Sequence, residues 1–187
     1  MCSSDLATLV PISTGTNNVF PRFIDGSSAG TAAGLVAAER VPAHMVTRAK
    51  RLVVTITEPD GTEHTDIALV DVAAIAAADA GARAVLKAGT ITGVVAAIAH
   101  PTSTGLSSVA GRVHPLDRTE EGAVAVRVTT DGSAERHVRV PIVPGHFDVL
   151  GVADITHLAN GDSVSFDGPC VLAYDGERER EVRAGRS

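Results

Sequence analysis

Asp66-Ile-Ala-Leu-Val-Asp-Val-Ala73 is the stretch on which the fold turns. Apart from its acids it is apolar on both faces. A strand wetted on one side would alternate instead, so the run predicts a strand through the middle of a sheet covered on both sides. Working outward, residues 51–58 alternate, with Leu52, Val54 and Ile56 on one side. Pro59-Asp-Gly-Thr62 supplies a turn, and the chain returns as a strand from Glu63. Residues 79–86 read as a turn and a short helix, residues 90–100 as a buried strand, and residues 101–111 as a small-residue loop. Residues 122–130 and 136–143 read as strands joined by polar Asp131-Gly-Ser. Residues 150–157, 163–166 and 171–174 complete the set, with turns at Asn160-Gly and Asp167-Gly. Turn signals spaced about 8–12 residues apart mark a sandwich or barrel.

Upstream, residues 27–40 read as a helix. Asp25 or Ser27 can cap it, and Ala29, Ala32, Ala33, Leu35 and Val36 give it an apolar surface. Gly30 and Gly34 lie four apart on one face, a spacing that predicts close packing, and Pro42 marks the end. A short helical or irregular piece follows at 43–48. The expected class is therefore mainly β (α+β overall): a β-sandwich with one N-terminal helix.

A chain of 187 residues supports one domain, or one domain and a remnant, and can bury a real core. Ala and Val dominate that core, with four Phe, one Tyr and no Trp. The net charge of −6 leaves no basic stripe for non-specific nucleic-acid binding. Arg178, Arg180, Arg183 and Arg186 alternate with Glu177, Glu179 and Glu181, which reads as a solvated strand face or tail. Cys2 and Cys170 make no disulfide framework, and Cys170 sits in an apolar run as an inert core residue. No apolar segment is long enough to span a bilayer, and no signal-peptide pattern opens the chain, so the expectation is a cytoplasmic protein. The seven His residues show no metal-ligand spacing. No Gly-x-Ser-x-Gly elbow supports a hydrolase.

Four places can carry chemistry. In Pro11-Ile-Ser-Thr-Gly-Thr-Asn-Asn-Val-Phe-Pro21, the small and polar Ser13 to Asn18 offer amides and hydroxyls at close range, and Gly15 lets backbone approach a ligand. Such loops hold phosphate or ribose beside a helix start; the plain alternative is a turn without a ligand. Asp71 is an acid inside an apolar strand, costly unless paired or hydrogen-bonded; the alternatives are a ligand contact, a strand-end acid in water and a structural salt bridge. Thr102, Ser103, Thr104 and Ser107 could meet ribose hydroxyls or phosphate oxygens, although Ser/Thr/Gly clusters are usually loops. Asp175-Gly-Glu177 closes an apolar strand and reads equally as a hairpin turn, since Asp-Gly pairs also occur at 60, 131 and 167.

Ser13-Thr-Gly-Thr-Asn-Asn-Val-Phe-Pro21, followed by Asp25-Gly-Ser-Ser-Ala-Gly-Thr-Ala-Ala-Gly34, resembles the ATP-NAD kinase-like family in its acetoin-catabolism protein X branch. The wider superfamily holds NAD kinases, diacylglycerol kinases and sphingosine kinases. The resemblance implies a C-terminal fragment. It places residues 7–26 as a remnant of the interdomain loop after a missing N-terminal α/β domain, and residues 27–187 as the β-rich, sandwich-like C-terminal domain. The superfamily's Gly-Gly-Asp-Gly-Thr motif would lie upstream of the chain. Met1-Cys-Ser-Ser-Asp-Leu6 looks like translated adapter sequence, the plain alternative being an ordinary N-terminal tail.

By the same resemblance, Thr14, Gly15, Thr16, Asn17 and Asn18 would orient nucleotide or acceptor. Asp71 occupies the place of an Asn-Glu pair that holds the nucleotide in NAD kinases, with the acid shortened and the amide absent. Thr102, Thr104 and Ser107 fall in a loop weakly similar to the Thr-rich loop of NAD kinases. Asp175 and Glu177 match an Asp-Gly-Glu of lipid kinases, with Glu177 a candidate base and the principal catalytic Asp upstream. No metal ligands are assigned. The implied reaction transfers the γ-phosphoryl of ATP, with Mg²⁺, to a hydroxyl acceptor, NAD by family name, and the isolated chain would not turn over. The alternatives are a lipid kinase of diacylglycerol type, or a non-catalytic ligand-binding or assembly module linked to acetoin catabolism. A β-domain without its partner domain would expose apolar surface, which leaves room for homo-oligomers.

Overall fold

The computed structural model describes residues 8–13, 19–76, 88–129 and 132–183. The chain divides into two compact units, Met1–Arg48 and Ala49–Ser187.

In the first unit, a parallel bridge between Ile12 and Arg22 draws together the two ends of the small-residue loop. Helix α1 then runs from Gly26 to Ala37. Asp25 caps it from an extended conformation, its carboxylate accepting the Ser28 N–H at 2.9 Å. The helix stops where Glu39 takes a left-handed φ of 55°. A 3₁₀ turn at Ala43–Met45 follows Pro42. Ala29 is the buried residue of α1. A methyl group built on Gly30 or Gly34 would meet nothing within 4 Å, so the close packing predicted from their spacing is not made.

Among its described residues the second unit has nine strands: β1 (Leu52–Thr57), β2 (Glu63–Ala68), β3 (Asp71–Ala76), β4 (Ile91–Ala96), β5 (Ala123–Thr129), β6 (Arg136–Val143), β7 (His146–Leu158), β8 (Cys170–Tyr174) and β9 (Arg178–Val182). Helix α2 (Ser107–Val113) falls between β4 and β5. Strands β1 and β2 form a two-stranded hairpin, and the other seven form one antiparallel sheet in the order β6-β7-β5-β4-β3-β8-β9.

The period-two alternation of β3 explains the layering. Ala73 and Ile75 join a core with Val94, Val124 and the α2 residues Val109 and Ala110. Val72 and Ala74 point the other way, into a cluster with Ile56 and Ala68 of the hairpin and Leu172 and Tyr174 of β8. The middle of the sheet is thus covered on both sides, by α2 and by the hairpin. Each fully buried Val stabilises by about 1.5–3 kcal/mol over its exposed state. The architecture of the described residues is mainly β, with two antiparallel sheets and two α-helices.

Several expectations are corrected. Residues 66–73 are not one strand: β2 ends at Ala68, the chain breaks direction at Leu69–Val70, and β3 starts at Asp71 in a different sheet. The loop expected over 101–111 gives way to α2 from Ser107, whose small side chains let it sit deep in the core. Residues 163–166 form no strand. Instead Phe166 lies against Gly93, and the Arg127 guanidinium stacks 4.8 Å from its ring. Strand β7 is 13 residues long, begins directly after the Pro144-Gly145 turn, and separates β5 from β6. The helix expected at 79–86 lies outside the described residues. Cys170 is buried and its thiol is pushed up by desolvation, as expected of an inert core residue.

Candidate functional site

Three stretches far apart in sequence meet at one end of the large sheet: the β2–β3 break, the loop from β4 into α2, and the turn after β8. The break is held by a single side chain. Asp175 follows β8 in a left-handed conformation, φ 53°, which Asp tolerates better than most residues. Its Oδ1 accepts the backbone N–H groups of Leu69, Val70 and Asp71 at 3.0, 2.7 and 3.2 Å. Its own N–H donates to the Asp71 carbonyl at 2.9 Å. The Val70 carbonyl in turn accepts from Ala97 N–H at 2.8 Å, tying the break to the end of β4. Backbone polar groups exposed by leaving one sheet for another are satisfied this way.

Asp71 is the chemical centre. It begins β3 opposite Ala96 and is only 3% exposed. Its side chain points to the α2 side, as Ala73 and Ile75 do. There Ser107, the first residue of α2 and 1% exposed, gives it hydrogen bonds from side chain and backbone. Oδ1 of Asp71 nevertheless has no partner. Burial pushes the carboxyl up to about 7, nearby Asp175 adds to the rise, and the Ser107 hydrogen bonds oppose it. Near neutral pH the group therefore changes between a carboxylate and an acid able to donate.

The loop into α2 is shaped for this approach. Gly105 has φ 81° and donates its N–H to Pro141 O at 2.9 Å, and the Ser108 hydroxyl donates back to Gly105 O. Ser103 and Ser108 are buried. Thr102 is exposed, its Oγ1 2.8 Å from His100 Nδ1, and Thr104 is half-buried. Beyond β8, Tyr174 buries its hydroxyl without a partner on the hairpin side, and burial raises its pKa. Arg178 lies 5.1 Å from the Tyr174 ring and makes an ion pair with Asp66 at 3.0 Å, which holds the Asp66 carboxyl below its usual range.

The structure thus brings Asp71, Ser107 and Asp175 together, with Asp175 shaping backbone as well as carrying charge. Thr102 and Thr104 lie on the adjoining loop. Glu177 sits in the exposed turn after Asp175, its N–H donating to Tyr174 O at 3.0 Å. Thr14, Gly15, Thr16, Asn17 and Asn18 lie outside the described residues. Beside them Ser13 buries an unpartnered hydroxyl while its N–H donates to Arg22 O at 2.9 Å. Sequence reasoning missed Tyr174 and Ser108. The signal for Tyr174 was available, since it is the one Tyr in the chain and directly precedes Asp175.

Among the described residues no group of three or more His, Cys, Asp or Glu is placed to hold a metal ion. No helix among the described residues is long and apolar enough to cross a membrane.

No solved structure matches the chain. It is 37% identical over 170 residues to acetoin catabolism protein X of Cupriavidus necator, covering 90% of this chain and 47% of that protein. The chain therefore spans about half the length of the curated relative it matches. A family profile described as the acetoin catabolism protein X C-terminal domain matches residues 50–187, nearly the whole second unit. By that match the chain belongs to the acetoin catabolism protein X C-terminal domain family.

Proposed function

We propose that this chain is the C-terminal module of a protein of acetoin catabolism, and that it binds a hydroxyl-bearing small molecule at the end of the sheet where Asp71 lies. One observation carries the reading: Asp71 Oδ1 is buried and unpartnered. An orphan carboxyl oxygen costs stability that an apolar residue would not, so a partner supplied from outside repays it. A carboxyl with pKa about 7 can donate to a carbonyl when protonated and accept from a hydroxyl when ionised. Both groups occur in an α-hydroxy ketone such as acetoin. The test is calorimetry on the protein extended upstream to its full length, with acetoin, NAD⁺ and ATP titrated separately. A ligand whose binding is lost in Asp71→Ala but kept in Thr102→Ala supports the reading. Equal binding by wild type and Asp71→Ala defeats it.

A second reading is that the module is half of an ATP-dependent kinase acting on a hydroxyl, with NAD the acceptor. It is favoured by the meeting of Asp71, Ser107 and Asp175, the places the kinase resemblance singled out. In that reading Thr102, Thr104 and Ser107 hold ribose, Thr14 to Asn18 orient nucleotide, and the upstream half carries the principal acid. ATP brings the phosphoryl group and its Mg²⁺, and the described residues contribute binding and a proton acceptor. The extended protein would form NADP⁺ from NAD⁺ and ATP, read by an NADP-specific coupled dehydrogenase, and Asp71→Ala would abolish it. A folded, ATP-binding protein that makes no NADP⁺ removes NAD as acceptor.

A further inference from the structure

The six steps from Ser107 to Val113, across the seven residues of α2, carry the helix roughly 9 Å along its axis, away from Asp71. At that far end an open surface groove of about 230 Å³ is lined by the exposed Arg112, Arg139 and Phe147. Arg112 lies in the last turn of α2, Arg139 on β6 and Phe147 on β7. The Arg139 guanidinium stands 5.7 Å from the Phe147 ring. Phe147 is 49% exposed.

Neither guanidinium is in either of the ion pairs His146–Asp148 and Asp66–Arg178. Two cations facing one groove without an acid between them is an uncompensated arrangement in a chain of net charge −6. Guanidiniums recognise phosphate and carboxylate by paired N–H donors and stack on flat rings. The volume falls below that of drug-sized sites, so the occupant is fragment-sized.

We propose that Arg112, Arg139 and Phe147 form a binding site for a small anionic ligand that joins a phosphate or carboxylate to a planar ring. The guanidiniums take the anion, and the ring lies against Phe147. The site is separate from the Asp71 end and does not depend on that reading.

The test uses the 187-residue chain labelled for NMR, with the Arg Nε–Hε and Phe ring signals as readout. Three probes are titrated: phenyl phosphate, inorganic phosphate and phenol. Phenyl phosphate is expected to saturate, shifting Arg112, Arg139 and Phe147 together. Inorganic phosphate should bind about tenfold more weakly, and phenol weaker still. Arg112→Ala and Arg139→Ala should each weaken phenyl phosphate about tenfold. Arg139→Lys should recover only part of the loss, because Lys keeps the charge without the planar fork. Phe147→Leu should erase the preference for phenyl phosphate over phosphate. Both arginines are exposed, so these variants leave the fold intact. The proposal is overturned by shifts that do not saturate, by equal affinity for phosphate and phenyl phosphate, or by unchanged binding in Arg112→Ala and Arg139→Ala.

Discussion

Helices α1 and α2 are made by opposite means. Helix α1 has 12 residues, a carboxylate cap and a surface mostly open to water, with Ala29 its buried residue. Helix α2 has seven residues, no side-chain cap and every residue buried except Arg112. Seven residues are far too few for a helix to stand alone in water. The first helix is written in local signals. The second exists because Val109 and Ala110 are enclosed by the sheet, and its Ser and Gly residues are there to be small.

The comparison breaks most sharply at glycine. In α2, a methyl group on Gly111 would lie 2.3 Å from the backbone oxygen of His100, which cannot move aside cheaply. Gly111→Ala is expected to destabilise the second unit by about 3 kcal/mol or more, read by urea unfolding. An effect below 0.5 kcal/mol, on the order of ordinary surface changes, would show that the burial of α2 does not decide its existence.

The next effect concerns the acid that α2 meets. The Asp71 carboxyl is raised from an ordinary 3.8 to about 7 in the folded protein. Between those values the folded state holds a proton that the unfolded state has released, so stability falls as pH rises. Below 3.8 both states are protonated and the loss is absent; above 7 it is complete. The loss between pH 5 and pH 8 should be about 2–3 kcal/mol. Asp71→Asn should flatten that slope and be the more stable protein at pH 8. Parallel slopes for wild type and variant would mean that Ser107 satisfies the carboxylate fully.

Smaller effects belong to α1. Asp25→Ala removes the cap and should cost about 1 kcal/mol, seen as faster amide exchange in the first turn rather than in global unfolding. Gly34→Ala should go the other way, stabilising α1 by up to about 1 kcal/mol, because no atom lies within 4 Å of the new methyl. A loss of helix on Gly34→Ala would reveal a contact on that face.

The same division decides what could be read from the sequence. The β1–β2 hairpin, α1 with its cap, β4 and β8 were legible because their signals are local: alternation, Asp-Gly turns, a capping acid before a helical run. That β3 lies in a covered sheet was legible from its apolar faces. The break at Leu69–Val70 was not, because nothing in Ala-Leu-Val-Asp announces that a carboxylate from residue 175 will take its amides. Helix α2 was hidden because Ser-Ser-Val-Ala-Gly favours loops until a core encloses it. Asp71, Ser107 and Asp175 could each be singled out as residues. Their meeting is a property of sheet order, which places β3 between β4 and β8.

The clasp at Asp175 also sets an order of events. Leu69 is bonded to a side chain 106 residues further along the chain. On a ribosome adding about 5–20 residues each second, the β2–β3 break waits roughly 5–20 seconds for its partner. Strand β3 waits similarly for β8, its neighbour on one side. The hairpin can form early, but the corner that presents Asp71 closes only after almost the whole sheet has been made. A carboxyl that is costly to bury is therefore buried late, when the structure that must hold it already stands.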